Sequence, residues 1–72
     1  MIYYLIDYMG HFQRVNLTPG SGYFGQHVRA TRANAARYYS REQAENELKF
    51  AKGIYRGRVI SEQDANEMGE DE

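Results

Sequence analysis

YSREQAENELKFAKG, residues 39–53, is the stretch in which every local signal points the same way. Ser40 is a favoured helix N-cap, Gln43 three residues on completes an S-x-x-Q capping box, and Tyr39 is placed to staple onto Ala44. Glu42 falls in the first turn and Lys49 and Lys52 in the last, which suits the helix dipole, and Glu45 precedes Lys49 by four residues, the spacing of a favourable ion pair. Gly53 supplies a left-handed stop. Together these predict a helix over about residues 41–52. Its apolar face is narrow, with Ala44, Leu48 and Ala51 on one side and Phe50 beside them, so the helix needs a surface to lean on. The flanking sequence predicts a small antiparallel sheet of three to four strands, with the helix packed on one face: an α+β fold.

Outward from the helix, residues 2–9 alternate Ile2, Tyr4, Ile6 and Tyr8 against Tyr3, Leu5, Asp7 and Met9. Both faces carry large apolar groups, which predicts a central strand covered on both sides, with Tyr4, Ile6 and Tyr8 as the core beneath the helix. Gly10 and His11 suggest a tight turn. Residues 12–17 read as a second strand, Val15 and Leu17 facing one way and Phe12, Arg14 and Asn16 the other. In residues 18–22, TPGSG, proline suits the first central position of a type II turn and glycine the second. Residues 23–30 return as a third strand in which Gly25 marks a bulge or a weak point. Residues 31–37 are compatible with a short helix capped by Thr31 or with a loop lying on the sheet. After the main helix, residues 54–60 alternate as a closing edge strand, where Arg56 and Arg58 discourage unwanted strand addition. Residues 1–60 are thus expected to form one domain, and residues 61–72 an acidic tail that buries almost nothing.

With 72 residues the chain lies near the lower size at which one hydrophobic core suffices, so a homo-oligomer is expected. There is no cysteine, which removes disulfides, thiolate chemistry and cysteine-bound zinc, and makes a reducing cytoplasm the expected home. The apolar start IYYLI has no basic flank and is interrupted at Asp7, so neither a secretory leader nor a membrane span is expected, and the acceptor pattern Asn16-Leu17-Thr18 is taken as chance. The net charge of -1 conceals an asymmetry. Residues 8–60 hold all nine basic residues against Glu42, Glu45 and Glu47, whereas residues 61–72 carry Glu62, Asp64, Glu67, Glu70, Asp71 and Glu72 with no base. A basic body suits a nucleic acid, a nucleotide or an acidic protein face, and the tail would screen that body until a partner displaces it.

Catalytic groups are sparse: His11 and His27 are the only side chains that titrate near neutral pH, and no H-x-x-x-H pair occurs. No enzyme activity, cofactor or metal is expected. The PGSG loop lacks the Lys-Ser/Thr ending and helix start of a phosphate loop and reads as a hairpin turn. The seven tyrosines say more, because tyrosine and arginine together are enriched where proteins recognise one another. Arg29, Arg32, Arg37, Tyr38, Tyr39 and Arg41, extended by Arg56 and Arg58, form the candidate partner- or anion-binding surface; its plain alternative is a solvated face that keeps the protein soluble.

The aromatic-Ser-x-Glu-x-Ala-x-x-x-Leu helix (Tyr39, Ser40, Glu42, Ala44, Leu48), in a short cysteine-free chain with an amino-terminal hairpin and an acidic end, resembles the small accessory proteins of bacteriophages and mobile elements. That resemblance implies a stoichiometric inhibitor of the antidefence, anti-CRISPR-like kind, binding a host protein such as a nucleic-acid-guided nuclease. An acidic tail that imitates phosphates would be one way to dock on such a target. Two other expectations come from different classes: an oligomeric sponge holding an anionic nucleotide through Arg29, Arg32 and Arg37, and nonspecific nucleic-acid binding by the basic body.

Overall fold

Strand β1 (Tyr3–Ile6) carries large side chains on both faces, and both faces are covered. The computed structural model describes residues 1–68. After β1 come β2 (Gln13–Val15), β3 (His27–Arg29), a 3-10 turn at Arg32–Asn34, helix α1 (Arg41–Phe50), β4 (Arg58–Ser61) and helix α2 (Glu62–Glu67). The expected α+β class and main helix are present. β4 closes antiparallel on β1, with Tyr4 opposite Ile60 and Leu5 opposite Val59, while β2 pairs antiparallel with β3.

The sheet is two two-stranded ribbons rather than one continuous array of three or four strands. Single bridges, Ile6 to Phe12 and Tyr3 to Tyr38, tie the second ribbon and the 31–40 segment to the free side of β1. The cause lies at Asp7. Its Oδ1 accepts the backbone N–H groups of Met9 (3.0 Å) and His11 (2.9 Å), and Gly10 takes φ +85°, so β1 ends at Ile6 and the chain reverses before a second ladder can form. Gly25, at φ +84°, holds the chain in a turn and delays the start of the expected third strand, leaving only His27–Arg29 in it.

Alternation along the β1–β4 ribbon sorts the core into two clusters. Leu5 packs with Tyr38 and Ala44, flanked by Tyr3, Leu48, Ile54 and Val59. Tyr4 and Ile6 pack with Phe12, Ala35, Ile60 and Ala65. α1 therefore covers the Tyr3/Leu5 face, not the Tyr4/Ile6 face expected to lie under it, and Tyr8 is exposed beyond the end of the strand. At the start of α1, Ser40 Oγ accepts the N–H of Gln43 (3.0 Å), and the Gln43 side chain accepts the N–H of Tyr39 (3.1 Å), so the capping box closes one residue early. Tyr39 is too exposed to act as a staple, and Glu45 pairs with Arg41 (3.7 Å) instead of Lys49. The helix stops at Phe50, two residues short of expectation, because Ala51 is already extended.

Residues 61–67 are not the loose tail expected from their composition. Ser61 belongs to β4, and its Oγ accepts the N–H of Asp64 (3.1 Å) to cap α2; Glu62 donates its N–H to Ile2 O (2.7 Å). Ala65 has no exposed surface, so the inward side of this acidic helix completes the Tyr4/Ile6 face. The domain thus runs past residue 60. The remainder of the predicted tail, residues 69–72, lies outside the described residues.

Candidate functional site

Tyr38 organises the outward display of its neighbours. Its N–H donates to Tyr3 O (3.0 Å) and its O accepts from Tyr3 N–H (2.8 Å), a closed antiparallel pair that turns the Tyr38 ring into the α1 face. In extended backbone the residues on either side must point the other way, and Arg37 and Tyr39 are both exposed. Arg41 follows in the first turn of α1, with its guanidinium 5.2 Å from the centre of the Tyr3 ring and 3.7 Å from Glu45. The arginine Nη2 of residue 37 reaches the Ala33 carbonyl at 3.4 Å. Residues 37–41 thus form a ridge of arginine, tyrosine and arginine, fixed from behind by a two-bond bridge and from one side by the capping box. Preorganisation of this kind lowers the ordering cost of binding.

Among the predicted recognition residues Tyr38 is the buried one, 8% exposed, packed with Leu5 and Ala44 rather than displayed. Burial pushes its phenol from 10 up to about 12, with the Glu47 carboxylate adding to the rise. Arg32, half-buried, is engaged within the chain. Its guanidinium lies 5.6 Å from the Tyr4 ring centre and donates to the Asn66 side chain, linking the 3-10 turn to α2. Arg29 is exposed on β3, opposite Gln13. Arg58 is exposed on β4 opposite Ile6, and Arg56 stands over the Tyr55 ring at 5.6 Å. The predicted surface is therefore divided. Arg37, Tyr39 and Arg41 sit at the Tyr3 end of β1, and Arg56 and Arg58 at the Ile6 end, three residues or roughly 10 Å further along.

Three arrangements escaped the sequence reading. The Tyr8 and Tyr55 rings meet edge to face at 5.3 Å, while Tyr8 N–H donates to Tyr55 O at 3.0 Å; nothing in the spacing of residues 8 and 55 announces this pairing. His27 is buried, its Nε2 3.2 Å from Glu47 Oε2 and its Nδ1 without a partner among the described residues. Its backbone N–H donates to Lys52 O (2.6 Å), and Gly53, at φ +95°, stands so close that any Cβ there would overlap the His27 carbonyl. His27 fastens the α1–β4 loop to β3. A buried Gln13, whose amide donates to His11 O (2.9 Å), was equally hidden, since glutamine is a surface residue by habit.

Among the described residues no three His, Asp or Glu side chains gather as a metal site, and no helix is long and apolar enough to cross a membrane. Comparison with known proteins finds no matching family model, no matching curated protein and no matching solved structure.

Proposed function

We propose that this chain is a non-catalytic binding protein that inhibits a partner protein by stoichiometric occlusion, and that residues 37–41 are its recognition ridge. The observation that carries the reading is the outward Arg37–Tyr39–Arg41 display held by the buried Tyr38. Arginine and tyrosine on a rigid support give large contact area, forked hydrogen bonding and little entropy loss. A basic ridge suits an acidic target face. The likeness of Tyr39, Ser40, Glu42, Ala44 and Leu48 to small phage accessory proteins supports a bacterial defence factor as the class of target. The nucleotide-sponge reading is weaker, because Tyr38 is buried and Arg32 is engaged within the chain.

A photo-crosslinking amino acid in place of Tyr39 tests this in a bacterial lysate, with the same group in place of Tyr23 as the control. The expected result is one protein adduct specific to position 39 and lost on Arg37→Glu or Arg41→Glu. Adducts identical at positions 39 and 23 would contradict it, and an adduct to nucleic acid alone would replace a protein target with a nucleic-acid one.

A further inference from the structure

The Ile6 end of β1 carries a second surface, independent of residues 37–41. The loop between α1 and β4 is clamped at both ends. At the start, Gly53 abuts the His27 backbone, and at the finish a Cβ on Gly57 would overlap Ile54 and crowd Leu48 and the Ile6 carbonyl. Between these clamps the loop displays Tyr55 and Arg56, and Arg56 holds φ +53° without being glycine, a conformation that a structure keeps only when its surroundings fix it. The Tyr55 ring meets Tyr8, and the chain continues from Tyr8 through Met9 to Gly10, against which the Met68 methyl rests, 3.8 Å from where a Cβ would stand. Tyr8, Met9, Tyr55 and Met68 are each between two-fifths and two-thirds exposed. Tyrosine, methionine and arginine are the residue types enriched at protein interfaces.

Charge says what covers this patch. On one side stand Arg56 and Arg58, with no carboxylate within 4.0 Å among the described residues. On the other side, immediately before Met68, α2 exposes Asp64 and Glu67 and contains no base. Glu67 lies at the negative end of its helix, where a cation is favoured. The patch is thus half basic and half acidic about a Tyr/Met centre, and a twofold axis through that centre lays each half on its opposite, so every favourable contact is made twice. We infer that this patch is the surface through which two copies of the chain form an isologous dimer, Arg56 of each copy meeting Glu67 of the other. An interface of ordinary size, about 800 Å² per partner, would cover about a sixth of the 4832 Å² that one copy exposes. The ridge at the opposite end of β1 stays open, which makes the dimer bivalent for its target.

Sedimentation equilibrium of the full chain, from about 1 μM to about 1 mM in low salt, tests this. The expected result is a monomer–dimer equilibrium whose dissociation constant rises about tenfold or more in Arg56→Glu and in Glu67→Arg. The double variant Arg56→Glu/Glu67→Arg should return close to the parent value. Arg56→Gly is the second variant; glycine accepts φ +53°, so it removes the guanidinium and keeps the fold, and it too should weaken the dimer. A monomer at every concentration would overturn the inference, as would a dimer that Arg56→Gly and Tyr55→Ser leave unchanged.

Discussion

α1 and α2 lie against opposite faces of one two-stranded ribbon, and each is seated by an alanine with no exposed surface, Ala44 in α1 and Ala65 in α2. Each begins at a serine whose Oγ accepts the N–H three residues on, at 3.0 Å for Ser40 and 3.1 Å for Ser61. They differ in what else holds them. α1 has ten residues and adds Leu48 to the contact, beside Tyr38 and Ile54. α2 has six residues, too few to persist unaided, and adds the Arg32–Asn66 hydrogen bond and the Met68 methyl against Gly10. Local grammar announces the first helix, although it too leans on the ribbon, whereas the second exists because the ribbon has a face to cover. That contrast also separates roles: α1 carries Arg41 of the proposed ridge, while α2 finishes the core with acids left on its outer side.

The largest expected effect is at the alanine of α1. Ala44→Asp would put a charge where there is neither room nor water, and should lower stability by roughly 3–5 kcal/mol in urea unfolding. Ala65→Asp should cost less, roughly 2–3 kcal/mol, since α2 can detach while α1 and the ribbon remain. Equal losses at the two sites would erase the distinction. Next comes pH, which acts on the α1 face through Tyr38. Its phenol is raised in the folded state from 10 to about 12, so the stabilisation is whole below pH 10 and is lost as pH climbs toward 12. The loss is at most about 3 kcal/mol, and Tyr38→Phe should flatten this alkaline limb in denaturant titrations at pH 9 to 12. An unchanged limb in Tyr38→Phe would place its cause elsewhere.

Smaller effects sharpen the same contrast. Ser40→Ala should cost about 1 kcal/mol, and Ser61→Ala a similar amount or less, because a cap on a helix held by tertiary contact is partly redundant. Arg32→Gln, which removes a partly exposed guanidinium from Tyr4 and Asn66, should cost about 0.5 kcal/mol and act on α2 alone, visible as loss of amide protection at Asn66 without change at Ala44.

How much of this was readable in the chain follows the same division. The Ser40–Gln43 box, the two-sided character of β1 and the existence of a closing strand are local or periodic signals, and they were legible, although that strand was read over residues 54–60 and is found at Arg58–Ser61. α2 was not, because Ser61-x-x-Asp64 is a weak cap motif inside a run of acids, and the burial of Ala65 depends on a face of β1 that no local pattern reveals. Register was hidden for a related reason. Whether α1 covers Leu5 or Ile6 is decided by which side of the ribbon the chain crosses after Tyr38, a long-range matter. In the candidate site, Arg37, Tyr39 and Arg41 were nameable from composition, but the inward turn of Tyr38 between them, and the meeting of Tyr8 with Tyr55, rest on contacts between residues far apart in sequence.

The central structural claim is that the acidic segment after β4 is folded against the ribbon. Amide hydrogen exchange by NMR on the isotopically labelled full chain tests it most directly, read at Ala65, Asn66 and Met68, the last donating to Asp64 O at 3.1 Å. Exchange at least about a hundredfold slower than in an unfolded chain, weakened selectively by Ala65→Asp, is the expected result. Exchange at unfolded-chain rates throughout residues 62–68, with β1 and α1 still protected, would contradict it and return the acidic segment to the role of a free tail.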